Sequence, residues 1–305
     1  MLIMNNLDAK LPDGLHLFDL PQTMEGFRSF ISSWFFKDDA GRRIVVDPGP
    51  ASSADALIEK LSGVTDGVDI VLITHIHLDH SGGIGQFVKR AGSRVMAHPK
   101  ARKHLTDPAK LWESSLAVLG DTARMYGPPE PLPESALISA DELPGIGIID
   151  TIGHSPHHLA YFVPFRGGRL AFIGESCGVN SSFGATDEYP YIRPATPPRF
   201  EPEHFMSSMD RVYNALEGGE LLCYGHYGAA RNAKERVAMA KEQLERWVSA
   251  ISGMADTPED EIITKLLNSD PLTRGFNDMP EDIRNRERIF IRNSVRGILK
   301  YCKGE

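Results

Sequence analysis

The 305-residue sequence contains few cysteines and no long hydrophobic run. Cys177, Cys223 and Cys302 are odd in number and far apart, which is typical of a reducing compartment rather than of a disulfide framework. No stretch of about 18 apolar residues is present, so we expect no membrane-spanning helix. The first ten residues show no cationic segment followed by an apolar one, and we therefore expect a cytoplasmic protein without a secretory signal.

Positive charge is also scarce, because 33 Lys and Arg residues stand against 41 Asp and Glu residues and give a net charge of -8. A general nucleic-acid binder needs a concentrated positive field, so nucleic acid is an unexpected partner. The C-terminal segment is a local exception, which we interpret as a solvated helix face. It leaves a nucleic-acid-associated phosphodiesterase as an alternative. The basic residues concerned are Arg284, Arg286, Arg288, Arg292, Arg296 and Lys300.

The most informative stretch is 74–83, which follows a short apolar run rich in β-branched residues and ends in two glycines. His75 and His77 are two residues apart, so on an extended backbone their side chains point to the same side. Asp79 and His80 follow where the turn begins and can point back to nearly the same place. Such nitrogen and oxygen ligands suit Zn²⁺, iron or manganese. Four of them in six residues exceed one tetrahedral site, so the pattern predicts two metals.

Three later residues could complete such a site: His154, Glu175 and His226. Each comes just after a predicted strand and beside a glycine, which permits a tight turn. Strand ends of one sandwich can converge on a single edge. This repeated placement predicts that the three side chains meet the 74–83 motif.

Strands and helices alternate over two tracts, 13–135 and 146–250, and the remaining sequence is helical in character. We therefore expect a body over 1–253 and a C-terminal helical extension over 254–305. The predicted helix 281–301 has an apolar face. That face should pack on the body or on another subunit, so a homodimer is a reasonable expectation.

Over about 13–230 the chain resembles the metallo-β-lactamase-fold superfamily of metal-dependent hydrolases. The H-x-H-x-D-H motif of 75–80 and the later G-H-S-P and G-H segments occur in the order typical of that family. The resemblance implies an α/β (α+β) fold, a four-layer αββα sandwich of two mixed sheets with a metal site at one edge, followed here by C-terminal helices. It also implies two divalent metal ions, with zinc as the first expectation and iron or manganese as alternatives.

The resemblance further implies two sets of three ligands and one shared carboxylate. The ligands of the first metal would be His75, His77 and His154, and those of the second would be Asp79, His80 and His226. Glu175 would bridge the two metals, although the family usually has Asp at that place. The side chain is one methylene longer, so it could bridge in another geometry, bind one metal only, or favour iron or manganese. The family often has an Asp where Asp47 stands, close to the ligands.

Such a site implies a hydrolase that uses a metal-bridging hydroxide, because two cations lower the pKa of a shared water. Asp79 could also accept a proton, and Tyr227 could either donate to a developing oxyanion or merely pack. The G-H-S-P segment and the acidic balance resemble glyoxalase II-like thioester hydrolases and lactonases more than nucleases. We therefore expect a small-molecule ester, thioester or lactone as substrate.

The proline-rich segment 181–199 is predicted to be a loop near the metal edge, where aromatic and guanidinium groups could bind an anionic or acyl substrate. The alternative is a solvated loop that packs on the C-terminal helices. Its candidate substrate residues are Tyr189, Tyr191, Arg193 and Arg199. A di-iron redox protein, or one that binds O₂ or NO on the same fold, is an alternative that Glu175 keeps open. The best-known version of that protein has Glu where His77 stands.

Overall fold

The computed structural model of the protein describes residues 11–185 and 189–304. The strands are β1 (Leu15–Asp19), β2 (Ser32–Lys37), β3 (Arg43–Val46), β4 (Ile70–Leu72), β5 (Arg94–Met96), β6 (Leu137–Ile138), β7 (Gly147–Asp150), β8 (Leu159–Phe165), β9 (Gly168–Gly174), β10 (Val179–Ser181), β11 (Tyr191–Arg193), β12 (Leu221–Tyr224) and β13 (Ala229–Ala230). The α-helices are α1 (Ala54–Ser62), α2 (Leu78–Ser81), α3 (Ile84–Ala91), α4 (Arg102–Thr106), α5 (Ala109–Leu119), α6 (Asp121–Tyr126), α7 (Pro202–Ala215), α8 (Ala233–Ser252), α9 (Glu259–Ser269) and α10 (Glu281–Lys303).

Two mixed sheets form the centre of the fold. Strands β1 to β6 make the first sheet in chain order, and the second has the order β13-β12-β9-β8-β7. Side chains alternate between the two faces of each strand. In β2, for example, Trp34 and Phe36 belong to the core between the sheets, whereas Phe35 belongs to the core beneath the outer helices. Helices α1, α3 and α6 cover the first sheet and α7 to α10 cover the second, which confirms the expected αββα sandwich.

The strand directions explain why ligand-type residues meet at one edge. Strands β7 and β9 are both antiparallel to β8, and β12 is parallel to β9. Strands β7, β9 and β12 therefore point the same way, and the residues that follow them emerge at the same edge of the second sheet. The first sheet is joined there, because Leu159 N donates to Thr74 O over 2.7 Å and Trp34 Nε1 donates to Tyr224 O over 3.0 Å.

One sequence-based expectation was wrong in part. The segment after β9 is not all loop, since β10 and β11 pair as an antiparallel ribbon; residues 186–188 of this segment lie outside the described residues. A three-residue strand among prolines has too short a pattern to be recognised.

The C-terminal helices share one hydrophobic core with the outer face of the second sheet. The apolar face of α10 packs into this core, where Ile283, Ile291, Val295 and Ile298 are fully buried. The sequence left open whether this face packs on the body or on another subunit, and in the structure it packs on the body. The boundary between 253 and 254 and a homodimer both stay predictions. Within the described residues, no helix is long and apolar enough to cross a membrane.

Tyr161→Phe tests the link between the sheets. The Tyr161 hydroxyl in β8 donates to the carbonyl of Ile73, just after β4, over 2.7 Å, and both residues are buried. Removing the hydroxyl leaves that carbonyl without this donor, so we expect the free energy of unfolding in urea to fall by about 1–3 kcal/mol. Tyr213→Phe, at a tyrosine that is 40% exposed, is the control and should change it by less than about 0.5 kcal/mol. Equal effects of both substitutions would contradict this account.

Candidate metal centre

The first group of ligand-type atoms is formed by His75, His77, His154 and Glu175. His77 Nδ1 lies 3.1 Å from His75 Nε2 and 2.9 Å from His154 Nε2. Glu175 Oε2 lies 2.9 Å from His154 Nε2 and 3.4 Å from His75 Nε2. Ligands about 2.0–2.1 Å from one zinc ion in a tetrahedron are roughly 3.3 Å from each other. The four atoms therefore have nearly the mutual spacing of one coordination sphere.

The second group contains Asp79, His80 and His226. Asp79 Oδ2 lies 3.6 Å from His80 Nε2 and 3.8 Å from His226 Nε2. His80 Nε2 is buried and has no hydrogen-bond partner among the described residues. Buried polar atoms normally have a partner, so this nitrogen is well placed to bind a cation. The donor set thus fits a second metal.

Glu175 lies between the two groups. Its Oε1 is 3.3 Å from His226 Nε2, and its Oε2, which contacts His154 and His75, is also 3.6 Å from His80 Nε2. One carboxylate thus reaches donors of both groups, which supports the bridging alternative over binding to one metal only. The longer side chain of glutamate is compatible with this geometry.

The backbone before Glu175 is tightly constrained. Gly174 has a φ of +52°, and a Cβ there would collide with the ring of His158. His158 accepts from the backbone N–H of Glu175 at Nε2 over 3.1 Å, and Gly225 N donates to Gly174 O over 2.9 Å. These contacts fix where the carboxylate starts, so His158 supports the site without being in either group.

Two histidines have a polar side chain beside Nδ1, the ring nitrogen that is not among the facing ligand-type atoms. His80 Nδ1 lies 3.1 Å from Asp47 Oδ2, and His75 Nδ1 lies 3.0 Å from Thr74 Oγ1. Asp47 also accepts from the N–H and the hydroxyl of Thr74, over 2.8 and 2.6 Å. Hydrogen bonds of this kind fix the tautomer and the ring orientation of a ligating histidine. Asp47 therefore supports the ligands, as its place in the sequence indicated.

Backbone carbonyls bind the outer nitrogens of two further histidines. His154 Nδ1 donates to Ala195 O over 2.7 Å, and His226 Nδ1 donates to Phe30 O over 3.2 Å. The ring of Phe30 also stacks on His226, with centroids 4.1 Å apart and planes at 15°. Sequence reasoning missed Phe30 and Ala195, because a backbone carbonyl has no residue-type signal and neither residue lies near a ligand in the sequence.

Burial and neighbouring charges shift the pKa values of these groups in both directions. Burial alone would lower the pKa values of His80 and His154, but Asp79 holds that of His80 well above the usual value and Glu175 raises that of His154, so these two must lose a proton to bind a metal. Burial, followed by the proximity of His80 and His77, lowers the pKa of His75 well below its usual value. Burial alone would raise the pKa of Glu175, but His154 and His226 hold it well below the usual value. Neutral imidazole and ionised carboxylate are the forms that bind divalent cations.

A family model described as the metallo-beta-lactamase superfamily matches residues 26–226, which contain every residue of both groups. The chain belongs to the metallo-beta-lactamase superfamily. Solved structures of the superfamily share its fold. A metallo-beta-lactamase superfamily protein from the archaeon Sulfolobus tokodaii matches with a TM-score of 0.59 at 22% identity, over 88% of this chain and 100% of that one. A metallo-beta-lactamase family protein from Thermus thermophilus matches with a TM-score of 0.61 at 19% identity, over 96% and 94%.

Curated superfamily relatives are more similar in sequence but match over shorter stretches. A metallo-beta-lactamase fold-containing protein of Sulfurisphaera tokodaii is 29% identical over 157 residues, which is 48% of this chain and 56% of the relative. A hydroxyacylglutathione hydrolase of Chromohalobacter salexigens is 28% identical over 144 residues, 47% of this chain and 46% of the relative. The chain thus spans about half the length of these relatives.

The candidate substrate residues of this superfamily member do not lie together. Tyr191 and Arg193 are buried in β11, where both bond to Glu287 of α10 over 3.2 and 2.7 Å. For these two residues the expected contact with substrate is therefore replaced by the other alternative, which is packing on the C-terminal helices. Arg199 is exposed, and Tyr189 is 41% exposed with the Arg274 guanidinium 4.5 Å above its ring. These two stay open as substrate residues.

Tyr227 follows His226, and its side chain is partly buried against the core between the two sheets. Its backbone N–H donates to Phe30 O over 3.0 Å, and its carbonyl accepts from Asn180 over 3.3 Å. Both bonds involve the backbone of Tyr227, so donation of its hydroxyl to an oxyanion and simple packing both stay predictions.

Asp47→Asn tests the support of the second group. Asn retains the size of the side chain and tolerates the positive φ of residue 47, +52°, but removes the charge that faces His80. We expect the dissociation constant of the cation bound by Asp79, His80 and His226 to rise about 10–100-fold. Competition of zinc with a chromophoric chelator measures it. Asp55→Asn, at an acid that pairs with Arg90 on the surface, is the control. Unchanged zinc affinity in Asp47→Asn would show that Asp47 does not support the second group.

Proposed function

We propose that the protein is a dinuclear metal-dependent hydrolase that acts on a small ester, thioester or lactone. The observation that supports this most is the convergence of both ligand groups on the single carboxylate of Glu175. Hydroxyacylglutathione, the compound in the name of several relatives, is a thioester, which favours acyl substrates. Zinc is our proposed metal because the donors are imidazole nitrogens and carboxylate oxygens, with iron and manganese next.

The ligands proposed for the first metal are His75, His77 and His154, and those for the second are Asp79, His80 and His226, with Glu175 shared. When bound, two such cations lower the pKa of a water nucleophile and polarise the scissile carbonyl. The side chain of Asp79 is only 14% exposed and its Oδ2 faces His80 and His226, so Oδ2 is the oxygen placed to bind the second metal and the role of proton acceptor falls to Oδ1. Burial of the cluster excludes bulk water, which strengthens each of these interactions.

A cysteine nucleophile is not favoured. Cys177 is the cysteine closest in sequence to the proposed ligands, and it is fully buried. Burial raises the pKa of its thiol to about 12, so almost none of it is thiolate at neutral pH. An attacking water fits the site better than a side-chain nucleophile.

Three of the six C-terminal basic residues have acidic partners within the protein. Arg292 and Arg296 pair with Glu259, and Arg286 is buried beside Glu287. A nucleic-acid phosphate would have to compete with these internal partners. We therefore propose a small-molecule substrate and a cytoplasmic location rather than a role on nucleic acid.

Activity on a panel of small esters, thioesters and lactones tests the proposal. We expect zinc-loaded protein to hydrolyse at least one class, a chelator to abolish turnover, and added zinc to restore it. His77→Ala removes a ligand and should lower kcat/KM by at least about 100-fold. His204→Ala, at an exposed histidine of α7 paired with Glu201, should retain parental activity. A metal-loaded protein without any turnover, or a fully active His77→Ala, would overturn the proposal.

A further inference from the structure

The C-terminal helix α10 contains a buried ionic network that the proposed chemistry does not use. Glu287 is fully buried and accepts from Arg193 Nε over 2.7 Å and from Arg286 Nη2 over 2.9 Å. The hydroxyl of Tyr191 is 3.2 Å from the same carboxylate. Buried ion pairs rarely stabilise a fold more than apolar residues of the same size would, so stability alone does not account for this network.

Arg286 connects this network to the second ligand group. Its Nη1 donates to the carbonyl of Gly26 over 2.7 Å, and its guanidinium carbon lies 4.1 Å from the centroid of the Phe30 ring. His226 contacts the same residue: its ring stacks on the Phe30 ring at a centroid distance of 4.1 Å, and its Nδ1 donates to the Phe30 carbonyl. The guanidinium of α10 therefore fixes the residue that sets both the plane and the tautomer of His226.

The segment that contains Gly26 and Phe30 rests directly on α10. Arg28 pairs with Asp282, and the Phe290 ring lies 5.2 Å from that of Phe30. A Cβ at Gly26 would collide with the carbonyl of Asp282, so the two backbones are in direct contact. The position of Phe30 thus depends on α10.

The other half of α10 has a parallel relation to the first ligand group. Ser294 Oγ donates to Pro194 O over 2.9 Å, and Thr196 Oγ1 donates to Ser294 O over 2.9 Å. These two bonds enclose Ala195, whose carbonyl accepts from His154 Nδ1. One helix therefore holds the outer hydrogen-bond acceptor of one histidine in each group.

We propose that α10 is a positioning element of the metal centre, in which Arg286 orients His226 through Phe30 and Ser294 orients His154 through the 194–196 segment. The inference rests on the proposed metal site. Partners that orient a ligating histidine typically change metal affinity by about 10–100-fold when they are removed. The effect should be selective for the ligand group that each half of α10 supports.

Zinc affinities of Arg286→Met, measured by competition with a chromophoric chelator, test the first half. Met fills similar space and leaves Glu287 paired with Arg193. We expect the dissociation constant of the cation on His226 to rise about 10–100-fold and that of the other cation to stay within about threefold. His226→Ala identifies which dissociation step belongs to His226. Arg286→Lys, which retains the charge, should recover part of the affinity.

The matched control is Arg292→Met on the same helix, which removes a surface pair with Glu259 and Asp260 and should leave both affinities at the parental values. Phe30→Leu removes the ring stack while retaining the network and the carbonyl, so it replaces Arg286→Met if that variant does not fold. It should weaken the same cation.

Ser294→Ala tests the second half and should weaken the cation on His154 selectively. A parent protein that binds fewer than two zinc ions would refute the proposed metal site itself. A parent that binds two, with variants that weaken neither cation or both equally, would refute only the positioning role of α10, because general loosening of the fold affects both groups alike.

Discussion

The structure depends on one electrostatic constraint, which is that five imidazoles and two carboxylates lie within contact distance at a buried sheet edge. Their facing nitrogens cannot all satisfy one another, and His80 Nε2 has no hydrogen-bond partner among the described residues. Cations with short bonds to nitrogen and oxygen would satisfy such a cluster. Without them, the protein would have to keep several like charges or lone pairs together at a cost in stability.

The fold meets this constraint by placing each donor residue shortly after the end of a strand. Three strands of the second sheet point to the same edge, and the turn after β4 adds the dense motif from the first sheet. The outer nitrogen of each of four histidines is then fixed by Thr74, Asp47, Ala195 or Phe30. Helix α10 contacts the segments that contain two of these residues, Ala195 and Phe30, so the C-terminal helices contribute to the geometry of the metal edge.

Much of this arrangement could be predicted from the sequence, because the information was local. The spacing of His75 and His77 and the glycines beside later strand ends are short-range patterns, and alternating strands and helices indicated the layers. The role of Arg193 could not be predicted in this way, because its partner, Glu287, is 94 residues away in the sequence. Only the tertiary structure shows that Arg193 forms a buried ion pair. The carbonyl of Ala195 likewise becomes important only through its position.

The central claim is that Glu175 joins two cations in one site. X-ray absorption of the zinc-loaded protein, combined with metal analysis, tests this most directly. The account predicts two zinc ions per chain with a metal–metal distance of about 3.5–4 Å. One zinc ion per chain, or two ions without a metal–metal signal in that range, would contradict it.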